Sequence, residues 1–452
     1  VESDLGSFRD PSGYIFFEDG YPRRKITSHG APSWKQLKNS GLLASLQEAG
    51  LLIEHCDLSD DCIAPRKVPL ISYPQEWSFS QYKDAALLTI EIAERALEKN
   101  FVLKDASAYN VQFLDGHPVF IDTLSFEPYK EGQPWVAYKQ FCQHFLAPLA
   151  LMSKVDVGLS KLMELHIDGV PLPLASKLLP RSTYLSLQLF LHIHLHAKSQ
   201  VKYSDKIVTV EKQGSGGRTI SRTALRGLLD GLKSAVKSLS WIPSGTEWGE
   251  YYSSTNYSNE ALSEKGRLVL EFATAASPKT VWDLGANTGV FSQIVSVLPD
   301  AQVVSFDIDP AAVEKHYLYI RESKKKNVLP LVLDLTNPTP SYGWAEEERN
   351  SVESRGPADL IMALALIHHL AISNNVPLEK VAEYFSRLGN YLIIEFVPKS
   401  DSQVVKLLST REDIFPSYTL SGFEEAFQRF YSVVFKKPIA GTERTLYLLK
   451  RK

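Results

Sequence analysis

The stretch from Val281 to Gly289, V-W-D-L-G-A-N-T-G, constrains this chain more than any other. An apolar run ends in Asp283, Gly285 and Gly289 then bracket a tight loop, and the helical pattern V-F-S-Q-I-V-S-V-L follows at once. Glycines let the backbone come close to a ligand, and amides at the start of a helix favour a carboxylate or phosphate. A second apolar run, Ala301 to Phe306, ends in Asp307. In a doubly wound sheet that carboxylate faces the same crevice and accepts hydrogen bonds from ribose hydroxyls. Two strand ends are thus expected to hold one nucleoside, although a glycine-containing turn alone fits any α/β protein.

A dinucleotide site would require G-x-G-x-x-G, whereas the spacing here is G-x-N-x-G, with Asn287 where the second glycine should admit a pyrophosphate. That argues against NAD. The segment resembles the first motif of class I S-adenosylmethionine-dependent methyltransferases, and Asp307 in V-V-S-F-D-I-D-P resembles the ribose-binding acid of that family. The resemblance implies S-adenosyl-L-methionine as cofactor. It also implies a cofactor-binding set of Asp283, Gly285, Ala286, Asn287, Gly289, Asp307, Ile308, Asp334, Leu335, Ala363 and Tyr257. Asp334, in L-V-L-D-L-T, resembles the acid that accepts the adenine amine, with Leu333 and Leu335 flanking the ring; capping of the T-N-P turn is its other reading. Tyr252, Asn256 and Tyr257, in W-G-E-Y-Y-S-S-T-N-Y-S, suit either a lid over the methionine end or an ordinary packed connection.

The 452 residues suit two or three domains. Hydrophobic residues at 44% and charged residues at 22% describe a globular chain that needs no disorder. A net charge of -3 gives no broad phosphate-contacting surface, so no nucleic-acid partner is expected, and Lys324-Lys325-Lys326 reads as a solvated helix end. Cys56, Cys62 and Cys142 form neither a disulfide framework nor a zinc site, which suits a reducing cytoplasm. With no signal-like start and no apolar run of about eighteen residues, neither export nor a membrane partner is expected.

Strand and helix patterns alternate through the second half, as a parallel sheet requires. Strands are expected at Thr280 to Leu284, Gln302 to Phe306, Leu329 to Leu333, Asp359 to Leu364 and Asn390 to Phe396. Tyr431 to Lys437 and Thr442 to Lys450, joined through P-I-A-G, should pair as an antiparallel hairpin on the sheet edge. The expected fold is therefore α/β: a Rossmann-like seven-stranded methyltransferase sheet with an antiparallel C-terminal hairpin, preceded by an α+β accessory domain. The polar stretch with K-Q-G-S-G-G-R-T and the amphipathic pattern Leu225 to Leu239 divide the chain into residues 1–200, a linker and connecting helix over 201–245, and a methyltransferase domain over 246–452.

The N-terminal half holds a second constellation. Asp105, Asn110 and Asp122 have the spacing of the catalytic loop and metal-binding Asp of protein kinases and aminoglycoside phosphotransferases, which they resemble. Leu103 stands where those families place a His, D-T-L replaces D-F-G, and no glycine-rich loop precedes them. Lys25 reads either as a nucleotide-contacting lysine or, beside Arg23 and Arg24, as a solvated strand end. The alternative to a kinase-like lobe is a hairpin whose Asp and Asn residues make turns. His192, His194 and His196 alternate with apolar residues, and only His192 and His196 share a helical face, so packing is favoured over metal.

Transfer of a methyl group from a sulfonium depends mainly on positioning, worth effective molarities of about 10⁵ to 10⁸ M, and needs a base only if the acceptor loses a proton. The fourth strand delivers His368 and His369, of which His368 is the better base; support of the following helix is the other reading. Glu395, ending the fifth strand, is a comparable candidate. The stretch D-I-F-P-S-Y-T-L-S-G-F-E-E-A-F resembles bacterial methyltransferases related to nodulation protein NoeA, which implies a glycan or other small hydroxylated acceptor and O-methylation. The rival readings are a protein or small-molecule N-methyltransferase, a bifunctional protein whose N-terminal half binds ATP, and a cofactor-binding regulator without turnover.

Overall fold

In the computed structural model, which describes residues 2–199, 220–243, 259–409 and 411–452, the chain divides into two compact units. One comprises Val1–Ile242 with Tyr342–Arg349, the other Pro243–Ser341 with Asn350–Lys452.

The first unit opens with β1 (Glu2–Ser3), β2 (Gly13–Glu18), β3 (Tyr21–Ile26), β4 (His55–Ser59) and β5 (Cys62–Pro65), an antiparallel sheet in the order β1-β2-β3-β5-β4. A long helix, Phe79–Glu98, follows. Ser78 caps it by accepting from the Gln81 amide while the Gln81 side chain reaches back to the Ser78 amide, so both orphan donors are used. Two short pairs come next: β6 (Phe101–Leu103) with β9 (Phe126–Pro128), and β7 (Val111–Leu114) with β8 (His117–Phe120). The helix Arg222–Ser238 buries Leu225, Leu229, Leu232 and Val236, and Lys233 bonds Glu94 of the long helix at 2.7 Å. Its apolar stripe thus makes it part of the first unit instead of a connector; the remainder of the expected linker, 200–219 and 244–245, lies outside the described residues.

The second unit is built on seven strands: β10 (Thr280–Leu284), β11 (Gln302–Asp307), β12 (Val328–Val332), β13 (Ala358–Ala363), β14 (Gly389–Phe396), β15 (Tyr431–Pro438) and β16 (Thr445–Arg451). Their order is β12-β11-β10-β13-β14-β16-β15, parallel through β14 and antiparallel across the last two. Parallel strands covered on both faces must be apolar throughout, and Val281, Val303, Leu360 and Ile393 meet Leu268 and Phe272 of the helix Asn259–Ala276 in one core. The chain runs outward from β10 to β12 and then returns to β13 on β10's other side. This reversal opens a crevice at the carboxyl ends of the strands.

Candidate cofactor and acceptor site

A cavity of about 420 Å³ lies at that crevice, within the size range of a small-molecule site. Asp283, Asp307 and Asp334, at or just past the ends of β10, β11 and β12, all line it, with Gly285, Ala286, Asn287, Ile308 and Leu335. Leu333 lies on the wall as well.

The loop after β10 is held by its own chain. The amides of Gly285 and Ala286 both donate to the Phe306 carbonyl, at 2.8 and 2.9 Å. Asn287 donates to Asp307 Oδ2 at 2.7 Å, Thr288 to Asn287 Oδ1 at 2.8 Å, and Gly289 to the Ala286 carbonyl at 2.9 Å. The expected use of helix-start amides for a ligand anion is thereby altered, because every amide from Gly285 to Gly289 already has an acceptor inside the chain. Asp283 Oδ2 accepts the Ser292 hydroxyl of the next helix at 2.6 Å.

Gly289 shapes the loop without lining the cavity. Its φ of 79° is left-handed, and a Cβ there would lie 1.9 Å from the His316 ring. That ring is fixed by Ser305 at Nδ1 and Gln293 at Nε2, at 3.1 and 3.0 Å. Ala363 is fully buried within β13, and the neighbouring Leu364, Ala365 and Leu366 form the wall instead. Ala365 holds a left-handed φ of 50°, the kind of local strain that collects at functional sites. Tyr257, with Tyr252 and Asn256, lies outside the described residues.

Burial sets the charge state of the wall. Desolvation pushes the Asp283 carboxyl up to about 7 against the opposing pull of Ser292 and Lys265. Asp307 rises to about 6 for the same reason, although the amides of Asp309 and Asn287 hold it down. Asp334 Oδ1 accepts both the amide and the hydroxyl of Thr336, at 2.8 and 2.6 Å. The turn-capping reading therefore describes its local bonds, while its place on the wall keeps it beside any ligand.

Neither of the two expected bases lines the cavity. His368 is fully buried, its ring nitrogens have no hydrogen-bond partner among the described residues, and it does not line the cavity. Burial holds it well below the usual imidazole range. The imidazole on the wall is that of His369, lowered by burial to about 4, at the start of a wide helical turn, His369–Ser373. Such turns recur at functional sites.

Glu395 is likewise off the cavity wall: its carboxylate is fully buried and bound by Lys265 at 2.6 Å, the Ala365 amide at 2.8 Å and Arg444 at 3.2 Å. Arg444 continues the network to Asp401 at 2.7 Å. Lys265, which the sequence does not single out, is 2% exposed and carries the one cationic side chain among the described wall residues. Its surroundings in S-E-K-G-R read as a solvated helix face; only its i+3 and i+4 neighbours Leu268 and Val269, both core residues, hint at an inward side.

In the first unit, Asp105 and Asp122 do converge. Burial, then the neighbouring Asp122 charge, raises the Asp105 carboxyl, and the Ile121 amide bonds the Asn110 carbonyl at 2.8 Å. Asp122 is occupied, however: Arg24 approaches Oδ1 at 2.6 Å and Ser125 bonds Oδ2. Lys25 pairs with Asp61 at 2.5 Å. His192 and His196 share one face against Tyr138, the first by a 2.9 Å hydrogen bond and the second stacked with ring centroids 4.9 Å apart. No group of three metal-ligating side chains occurs among the described residues.

The chain is 38% identical to nodulation protein NoeA of Rhizobium meliloti (strain 1021) over 459 residues, covering 99% of this chain and 95% of that one. No family model matches it. Solved structures similar to it include a SAM dependent methyltransferase from Aquifex aeolicus, with 16% identity, a TM-score of 0.32, and coverage of 47% of this chain and 100% of that one. Another is magnesium protoporphyrin IX methyltransferase from Synechocystis PCC 6803 with bound SAH, with 16% identity, a TM-score of 0.32, and coverage of 45% of this chain and 93% of that one.

Proposed function

This chain belongs to the family of nodulation protein NoeA, and from that premise we propose that its second unit is a methyltransferase using S-adenosyl-L-methionine. The observation that carries the reading is one cavity on which three neighbouring strand ends present Asp283, Asp307 and Asp334, with Lys265 as counter-charge. When bound, the donor supplies a methyl group on a positively charged sulfur.

The donor set of the wall fits such a molecule. Asp307 accepts the Asn287 amide on Oδ2 and the Asp309 amide on Oδ1, and its carboxylate lines the cavity where it meets the ribose hydroxyls. Asp334 takes the adenine amine between Leu333 and Leu335. Asp283 supplies negative charge for the cationic end. Because the loop amides are spent, Lys265 takes the amino-acid carboxylate: its ammonium is the one cationic group among the described wall residues.

His369 is neutral through the physiological range and takes the proton of an acceptor hydroxyl, with Ser373 and Asn374 on the same wall as further polar contacts. The acceptor class is a carbohydrate or other small hydroxylated molecule, and the reaction is O-methylation. Labelled donor offered with glycan, lipid and protein fractions tests this directly. Label in a hydroxyl-bearing small molecule is expected, and label only on amines would move the reading to N-methylation.

Binding is tested separately by calorimetry with S-adenosylhomocysteine and with methylthioadenosine, which lacks the amino-acid end. The wild type should prefer the former. Lys265→Met should remove most of that preference, about tenfold or more for a charge-assisted hydrogen bond, and leave methylthioadenosine unaffected. A wild type that binds neither compound would end the cofactor reading, whereas an unchanged preference in the variant would end only the role of Lys265.

A further inference from the structure

The first unit carries an apolar face that the methyl-transfer reading does not use. The helical run Leu187 to 199 buries Leu189, Ile193 and Ala197 along one side. Its flanks are also occupied: His192 bonds Gln188 and Tyr138, and His194 bonds Ser176 and Thr183. The remaining side presents Leu187, Leu191 and Leu195, four residues apart and hence on one stripe, and all are exposed. Leu185, 90% exposed, immediately precedes the stripe, and Leu187 is 65% exposed. Single exposed leucines need no explanation, but an ordered row is the signature of a surface that meets something apolar.

Charge identifies what it meets. From Gly169 to Ser199 the sequence contains no Asp or Glu, although the whole chain is net negative at -3. Its charged side chains there are Lys177, Arg181 and Lys198, all exposed. Lys198 stands 6.0 Å from the Tyr184 ring, which also stacks on His194. A leucine row flanked by cations matches a helix that lies flat in an anionic lipid surface, with leucines among the acyl chains and cations at the headgroups.

A second copy of the chain fits less well, because a two-fold contact would set the same three cations against themselves. A protein partner fits less well too, since anchoring hot spots favour Trp, Tyr and Arg and leucine is under-represented among them. We infer that the Leu185–Leu195 face is a peripheral docking surface for an anionic phospholipid bilayer. Such a contact needs no spanning helix, and none of the described helices is long and apolar enough to cross a membrane.

The test is co-sedimentation of the full chain with vesicles of phosphatidylcholine alone and of phosphatidylcholine mixed with phosphatidylglycerol. The wild type should pellet with the mixed vesicles, only weakly with the neutral ones, and be released by salt. The double variant Leu185→Ser/Leu187→Ser should lose roughly tenfold or more in partitioning. Lys177→Glu/Arg181→Glu should lose the preference for anionic lipid. All these side chains are exposed, so each variant should melt like the wild type, which separates lost docking from lost fold.

The inference is overturned if the wild type stays in solution with both vesicles. It is also overturned if the leucine variant pellets as the wild type does. Sedimentation equilibrium supplies the last arm: a lipid-free dimer that the leucine variant dissociates would reassign the face to a second copy.

Discussion

Asp283 and Asp307 are raised to about 7 and about 6 because burial disfavours their charged forms. A cationic donor needs them ionised, so its binding must expel the protons they hold in mildly acidic solution. Affinity for S-adenosylmethionine should therefore strengthen as pH rises through about 6 to 7, by up to tenfold per unit for each coupled proton, and flatten above. Calorimetry across pH 5.5 to 8, a window set by those shifts, checks this, and a flat profile would exclude the coupling.

For stability the sign reverses. The raised acids contribute most below their unfolded values and lose that contribution as pH rises through 6 to 7. His316 and His369, lowered to about 4, lose theirs as pH falls from 6.5 towards 4. At the same loop, Gly289→Ala combines a left-handed φ with a Cβ overlapping His316 and should cost about 3 kcal/mol or more in urea melts. Gly285→Ala, whose Cβ would meet only the end of Leu366 at 3.1 Å, should cost less. The strand-end acids were legible because an Asp after an apolar run and before a glycine turn has few other places to go. Which imidazole lines the cavity was not: adjacent histidines give no period, and only the wide turn at 369–373 decides which ring reaches the wall.

Elements were legible where their periodicity was. Five parallel strands can be read to within about a residue from continuous apolar runs, and the C-terminal pair from two such runs separated by Pro438 and Gly441. What periodicity does not carry is a charge turned inward. Lys265, Glu395, Arg444 and Asp401 sit on four different segments, and no single segment reveals that they meet. Removing one member of a buried ionic network leaves its partners unpaired, typically at about 3 to 5 kcal/mol. Glu395→Gln should thus lower the denaturant midpoint clearly and weaken S-adenosylhomocysteine binding with it, because Lys265 and the Ala365 amide both lean on that carboxylate. The exposed Arg267, paired with Glu264 at 2.8 Å, is the control, and Arg267→Ala should leave the midpoint and the binding unchanged.

Across the whole chain the two units differ in how much of their chemistry is free to act. The second keeps its strand-end acids on an open wall. In the first, the two carboxylates of a constellation with the spacing of a phosphotransfer site are occupied by the chain itself, since Asp122 meets Arg24 and Ser125 while Asp105 accepts from Gln140 and the Ser107 amide at 2.7 and 2.9 Å. The convergence of Asp105 and Asp122 was legible from spacing; the inward turn of Arg24 in Y-P-R-R-K was not, because three adjacent cations give no sign of which one is buried. Equally hidden was the return of Tyr342–Arg349 to the first unit, where Glu348 pairs with Arg9 at 2.5 Å and Tyr342 bonds Tyr109 at 3.2 Å. A divalent cation would have to displace a guanidinium 2.6 Å from its carboxylate before it could hold nucleotide phosphates there. Titration with ATP and magnesium should accordingly give no binding heat in the wild type or in Asp122→Ala, while S-adenosylhomocysteine raises the melting temperature of both. Heat in the wild type that Asp122→Ala abolishes would mean that Arg24 yields its place to a metal, and the N-terminal unit would then have to be read as a nucleotide site in its own right.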